Sequence, residues 1–265
     1  MDKTILFLMS YKGLTVLNSV IENGYKDLIS KVIYAEDKSV VNDYSKEITQ
    51  TCSKYNIDCF SKENMGETNA NLLIAISWRW IIKLYKDQKL IVLHDSILPK
   101  YRGFSPLVTA LLNKDKEIGV TALYATKDYD KGNIIEQSKV IIDYPIKIEQ
   151  AIKKITACYV EIILILCQSI KDEVTLIGKE QIEEDASYSL WREEDDYEIN
   201  WNWTADYIKR FIDAVGFPYK GASTNINSRK IRVIEGKVVS DLNIINRVAG
   251  KVIIVDKNMP VIVCG

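Results

Sequence analysis

A chain of 265 residues, 47% hydrophobic and 27% charged, can bury a full core and has room for one large domain plus a small one. Lys and Arg number 35 against 36 Asp and Glu, a formal charge of -1. That balance argues against a dedicated nucleic-acid surface but leaves room for a local basic pocket.

Residues 4–9 read as a first strand. The apolar run there is too short for the core of a signal peptide and has no cleavage site behind it. Residues 14–23 read as a helix closed by Gly24, 31–34 as a second strand, 40–55 as a helix and 72–77 as a core strand. Residues 80–84 look like the start of a helix, 90–93 are the next strand, 106–112 a helix, and 119–124 and 134–142 two more strands. Short apolar runs alternating with amphipathic stretches predict an α/β fold, a Rossmann-like, mostly parallel sheet flanked by helices. The first turn, Ser10-Tyr11-Lys12-Gly13, lacks the G-x-G-x-x-G fingerprint, which disfavours a dinucleotide dehydrogenase.

A long helix follows over 148–170, with Ile148, Ile152, Ile155, Tyr159, Ile162, Ile163, Leu166 and Ile170 at helical spacing, a pattern of core packing. Its apolar stretch 162–167 lies between Glu161 and Lys171, far short of the roughly 20 residues of a membrane span. Acidic runs at 183–185 and 193–196 mark a surface boundary, so we expect an N-terminal domain over 1–182 and a small, OB-like C-terminal domain over 183–265. In the latter, Thr204 can cap a helix carrying Ile208, Phe211, Ile212 and Val215 on one face, stopped by Gly216 and Pro218. Short strands are expected at 230–234, 238–239, 252–255 and 261–264. The five cysteines, Cys52, Cys59, Cys158, Cys167 and Cys264, are odd in number with no metal-like spacing, and read as reduced thiols of a cytoplasmic protein. There is no His pair for a catalytic zinc and no Walker loop; no metal is expected.

The only histidine, His94, ends the strand 90–93 and opens into a Pro/Gly loop. A strand that delivers a near-neutral titrating side chain to such a loop suits a catalytic site, although a lone His there can equally cap or pack. Three segments are informative together. They are His94-Asp95-Ser96-Ile97-Leu98-Pro99-Lys100-Tyr101-Arg102-Gly103-Phe104-Ser105-Pro106, then Gly119-Val120-Thr121, then Asp128-Tyr129-Asp130-Lys131-Gly132-Asn133. In order and spacing they resemble the formyltransferases that use 10-formyltetrahydrofolate, most closely the sugar N-formyltransferases of the pseudaminic-acid type. The likeness is specific over about 72–140 and loose over the whole chain. Residues 187–201 resemble the family's domain-joining segment, and Pro218-Tyr219-Lys220-Gly221-Ala222 the turn after its first C-terminal helix.

The resemblance implies formyl transfer through a tetrahedral oxyanion, with His94 and Asp130 as the catalytic pair and Ser96 beside them. An imidazolium can stabilise the oxyanion and move protons, and a neighbouring carboxylate favours its charged form and fixes its tautomer. One departure stands out: the family's Asn two residues before the His, an oxyanion donor, is Val92 here. Another donor such as Ser96, a backbone amide or a water can replace it, close relatives can share the change, or the chain is a weakly active or non-catalytic binding relative.

The resemblance also assigns folate contacts to Trp80, Ile81 and Ile82 and to the loop Lys127, Asp128, Tyr129 and Asp130. Trp78 and Trp80 serve equally well as core anchors. It assigns the acceptor mouth to Lys100, Tyr101, Arg102 and Phe104, with Ser10 and Lys12 facing it. Arg102 can meet a phosphate bidentately or order the loop from the surface. The expected acceptor is the amine of a UDP- or dTDP-linked amino deoxysugar, with no nucleic acid, no membrane and a homodimer as further expectations. Methionyl-tRNA formylation is the main alternative, disfavoured by the near-neutral charge and short C-terminal region. A purine-pathway enzyme is expected to stop after the first domain.

Overall fold

The computed structural model describes residues 3–265; Met1 and Asp2, where the expected first domain begins, lie outside the described residues. The chain runs β1 (Thr4–Leu8), α1 (Ser10–Glu22), β2 (Ile29–Tyr34), α2 (Ser45–Lys54), β3 (Cys59–Ser61), β4 (Leu72–Ile76) and β5 (Lys89–His94). It continues with β6 (Arg102–Gly103), α3 (Pro106–Leu112), β7 (Glu117–Tyr124), β8 (Ile134–Ile141) and α4 (Ile148–Lys171). The remaining elements are β9 (Tyr188–Ser189), α5 (Ala205–Ala214), β10 (Ala222–Ile226), β11 (Arg229–Val233), β12 (Val252–Asp256) and β13 (Met259–Ile262).

Seven strands form one sheet in the order β3-β2-β1-β4-β5-β7-β8. The first five are parallel; β7 and β8 add antiparallel to the β5 edge. This is the mostly parallel, helix-flanked sheet expected. β1 is buried along its whole length because both of its faces are covered. Leu6 and Leu8 join the larger core with Val16 and Leu17 of α1 and Ile155, Ile162 and Leu166 of α4, while Ile5 and Phe7 join a smaller one with Leu73 and Leu90.

Two expected helical stretches are not helical. Residues 40–44 are a loop in which Asp37, Asn42 and Asp43 accept hydrogen bonds from the backbone N–H groups of Ser39, Tyr44 and Ser45. Short polar side chains that bond nearby backbone in this way compete with helix, and α2 starts only at Ser45. Residues 80–84 are irregular as well; the side chain of Gln88 ties this segment down by accepting from Tyr85 N–H and donating to the Ala70 carbonyl. A five-residue apolar window is too short to nucleate a helix by itself.

Thr204 caps α5 as expected, its hydroxyl accepting from Tyr207 N–H at 3.3 Å. α5 lies on α3, where Arg210 donates to the Leu112 carbonyl at 2.9 Å. The C-terminal strands form two separate antiparallel hairpins, β10–β11 and β12–β13, rather than one OB-like sheet, and 238–239 is not a strand. Residues 234–249, which hold no strand, separate the two hairpins.

Candidate active site

Register aligns Leu8 of β1 with Ile76 of β4 and Ile76 with Leu93 of β5. Ser10, Ser77 and His94 therefore emerge side by side at the carboxyl edge of the sheet. Between β1 and β4 the strand order reverses, the place where open α/β sheets leave a ligand crevice. Ser10 and Ser77 hold left-handed backbone, φ +63° and +55°, and both hydroxyls are buried without a partner. Buried hydroxyls left unpaired are costly unless something else satisfies them.

His94 is 8% exposed. Its Nε2 lies 2.9 Å from the Tyr101 carbonyl, and a carbonyl can only accept, so Nε2 carries a proton. Nδ1 is then the ring nitrogen left for chemistry. It lies 3.5 Å from Oδ1 of Asp130, whose Oδ2 accepts from Gly103 N–H at 2.8 Å. Asp130 sits in left-handed backbone, φ +57°. Two residues on, Gly132 is required by space, because a Cβ there would stand 1.7 Å from the Tyr124 carbonyl oxygen. The loop can therefore fold tightly over the end of β7 and bring Asp130 to the imidazole.

The 95–101 loop is pinned from below. Buried Thr121, the register partner of His94, donates to the Ser96 carbonyl at 2.7 Å and accepts from Leu98 N–H at 3.0 Å and from Gln137 at 2.8 Å. This explains the Thr at the end of the Gly119-Val120-Thr121 segment. Val92 packs against the smaller core, as do Trp78, Ile82 and Ala125.

Several expected site residues have other tasks. The Ser96 hydroxyl donates to the Lys100 carbonyl at 2.7 Å, closing the loop, so it is committed and not the spare donor that Val92 lacks. Arg102 corrects the sequence reading: it is 1% exposed, away from any mouth, with its guanidinium held by Gln181, Glu183 and Tyr188. The acid Glu183, 2.7 Å from Nη1, offsets the cost of burying its charge. The Tyr101 phenol turns to Asp115 and Asn113, at 2.9 and 3.1 Å, and only its backbone serves the site. Lys100 is exposed and borders a cavity of about 850 Å³ with Asp95, Ser96, Tyr101 and Asp115. Phe104 meets Tyr129 at 5.9 Å between ring centroids, which joins a residue expected at the acceptor mouth to one expected at the folate. Lys127 and Asp128 are exposed on the same loop.

Lys12 does not project freely. Its ammonium lies 2.5 Å from Asp95 Oδ2, and the Tyr159 hydroxyl lies 2.5 Å from Asp95 Oδ1 and 3.1 Å from the Leu93 carbonyl. Burial works against the Asp95 carboxylate, but Lys12, Tyr159 and His94 outweigh it and hold its pKa below the usual range. Burial and Asp95 together push the Tyr159 phenol well up. Sequence reasoning does not single out Asp95 or Tyr159: Asp95 is one carboxylate among the residues after His94, and Tyr159 shares the helical spacing of a core face. Gln181, Ser187, Ser189 and Trp191 were missed too, with no signal in a polar joining segment to single them out. Trp191 stacks edge-on to Phe104 at 4.9 Å.

Trp80 and Ile81, 39% and 84% exposed, stand on the irregular segment after β4, and the Trp78 ring nitrogen is buried without a partner. Exposed apolar side chains beside irregular backbone and an unused donor fit a flat heterocycle with polar edges.

A formyl transferase model matches residues 36–164, and a formyl transferase C-terminal domain model matches 192–265. The chain belongs to the formyl transferase family. Among curated relatives, this formyl transferase is 29% identical over 232 residues to a methionyl-tRNA formyltransferase of Syntrophomonas wolfei, covering 86% of this chain and 72% of that one. It is 27% identical over 252 residues to the bifunctional polymyxin resistance protein ArnA of Wigglesworthia glossinidia brevipalpis, covering 89% of this chain but 38% of that one. The chain thus spans well under half the length of that bifunctional relative. Among solved structures, the formyl transferase fold superposes on an N-formyltransferase from Helicobacter canadensis, crystallised with folinic acid and dTDP-3-aminofucose. That match has a TM-score of 0.70 at 22% identity and covers 92% of this chain and 90% of that one. No helix among the described residues is long and apolar enough to cross a membrane.

Proposed function

We propose that this formyl transferase moves the formyl group of 10-formyltetrahydrofolate onto the amine of a nucleotide-linked amino deoxysugar of the UDP or dTDP type. The observation that carries the reading is the convergence of the chain's only imidazole, with Nδ1 uncommitted to backbone, on the Asp130 carboxylate at the end of the sheet. Formyl-folate supplies a carbonyl carbon bonded to a nitrogen that leaves once protonated. His94, as imidazolium, stabilises the formyl oxygen when the amine nitrogen bonds to that carbon and the oxygen takes the electron pair. Asp130 balances the imidazolium charge; as the carbon–nitrogen bond breaks, the Nδ1 proton passes to the departing nitrogen, and the neutral Nδ1 then takes the proton shed by the amine, which restores the imidazolium. Trp80, Ile81, Ile82 and the loop 127–130 form the folate side, while Ser10, Ser77 and Lys12 stand on the acceptor side.

The sugar-nucleotide acceptor has the Helicobacter canadensis neighbour behind it, in a superposition that spans nearly all of both chains. Methionyl-tRNA is the second reading, supported by the Syntrophomonas wolfei relative; a net charge of -1 weighs against an RNA backbone partner. The test is incubation with 10-formyltetrahydrofolate and a panel of UDP- and dTDP-linked amino sugars, followed by mass spectrometry for the gain of one formyl group. Formylation of charged initiator tRNA in place of any sugar would reverse the choice, and binding of both ligands without product would make the chain a binding relative with Val92 in place of a donor.

Two further features belong to this reading. Five free cysteines suit a reducing compartment such as the cytoplasm. Ile245, Ile253, Val255 and Met259 expose apolar side chains on and beside the β12–β13 hairpin, which supports a homodimer; sedimentation equilibrium measures it.

A further inference from the structure

The segment between α4 and α5 leaves the long helix and, before reaching the C-terminal hairpins, passes directly over both loops that carry His94 and Asp130. Lys179 first pairs with Ile134, just past the aspartate loop, through backbone hydrogen bonds of 2.8 and 2.7 Å, and Gln181 then reaches the loop itself. Its side-chain amide donates to two carbonyls of the aspartate loop, those of Asp130 at 2.7 Å and Gly132 at 2.8 Å. The amide oxygen accepts from Nε and Nη2 of buried Arg102, at 3.1 and 3.0 Å. An amide has one acceptor oxygen and one donor NH₂, and a guanidinium only donates. The Arg102 fork therefore decides which way the Gln181 amide faces, and the NH₂ can only face the aspartate loop.

Arg102 is in turn fixed by Glu183 and by the short parallel pairing of Arg102 with Tyr188 and Gly103 with Ser189. Gly103 is needed there: it has φ +98°, and a Cβ would stand 2.6 Å from the Ser189 carbonyl oxygen. The same segment serves the histidine. Ser189 Oγ lies 3.2 Å from the Tyr101 carbonyl, the group that accepts the Nε2 proton of His94.

We propose that the joining segment is an arm of the active site and that Gln181 is a positioning residue, holding the left-handed Asp130 turn so that its carboxylate faces His94. Asp130 has two anchors: Gly103 N–H on its carboxylate and Gln181 on its carbonyl. Both trace back to the strip Arg102–Gly103, so one element sets the distance between imidazole and carboxylate from both sides. The inference rests on the reading of His94 and Asp130 as the catalytic pair, and its test is built to separate the two.

Gln181→Met removes the amide without adding charge. Gln181→Glu keeps an acceptor for Arg102 but turns an acceptor toward both loop carbonyls. Both variants are expected to lose about 10²-fold in kcat, the scale of a small misplacement of catalytic groups, with KM for the acceptor within about twofold of wild type. His94, the only histidine, provides a readout that needs no substrate: its ring ¹⁵N and ¹H NMR signals should move in both variants. Thr204→Ala, which loosens the cap of α5, should lower Tm and leave those signals in place. Ring signals and kcat of folded Gln181→Met that coincide with wild type would overturn the proposal. A wild-type protein that formylates no acceptor would defeat the catalytic reading alone, while the His94 signals would still decide whether Gln181 positions the pair.

Discussion

Asp130 faces His94 through one carboxylate oxygen and holds the backbone of Gly103 through the other, so a single side chain provides both charge and scaffold. The two contributions are separable. Because Nε2 of His94 is committed to a backbone carbonyl, any proton traffic at the imidazole passes through the nitrogen that faces Asp130.

Asp130→Asn keeps an acceptor oxygen for Gly103 but removes the negative charge, whereas His94→Ala removes the imidazole. His94→Ala is expected to lower turnover by about 10²- to 10⁴-fold, the usual range for acid–base catalysis, and Asp130→Asn by about 10²-fold. Both should keep the wild-type circular dichroism spectrum. Product formation followed by mass spectrometry measures the loss; a wild-type rate in either variant contradicts the assigned roles.

The Lys12–Asp95 pair predicts an acid limb of stability. Asp95 has a folded-state pKa below its ordinary value near 4, so its contribution is fully present above about pH 4 and is lost as pH falls through the folded value. Urea unfolding from pH 7 to pH 3 should show that loss in wild type and a shallower dependence in Asp95→Asn. At pH 7 the variant should be less stable by about 3 kcal/mol, since Lys12 is left buried without its partner.

Gly132→Ala should be disproportionately harmful for the addition of one methyl group. The new Cβ would overlap the Tyr124 carbonyl, so the loop must lift and carry Asp130 with it. We expect a lower Tm together with a loss of at least about 10²-fold in turnover. Gly66→Ala, where no atom lies near the added carbon, should leave turnover unchanged.

Arg102→Met should act on stability first. It deletes the hydrogen bonds to Gln181, Glu183 and Tyr188 and leaves the Gln181 oxygen without its donors. A destabilisation of about 2 kcal/mol is expected, together with faster proteolysis across 181–189, both read from urea titration and limited digestion.

Asp130 was singled out by the resemblance, while the amino-acid order by itself determined the mostly parallel sheet, the long α4 helix, the Thr204 cap and the strand that ends in His94. These depend on local rules: periodicity, strand-ending Pro and Gly residues, and a capping hydroxyl followed by a helical face. It misjudged 40–44, where side chains bonding to nearby backbone compete with helix, and 80–84, where five residues are too few to nucleate one. Only the tertiary structure decided that Arg102 is a buried strut instead of a ligand-facing charge, that Lys12 is held by Asp95, and that Gln181 reaches the aspartate loop. Those outcomes depend on contacts between residues some 50 to 83 positions apart, and a charged side chain's partner at such a separation leaves no periodic trace in the chain.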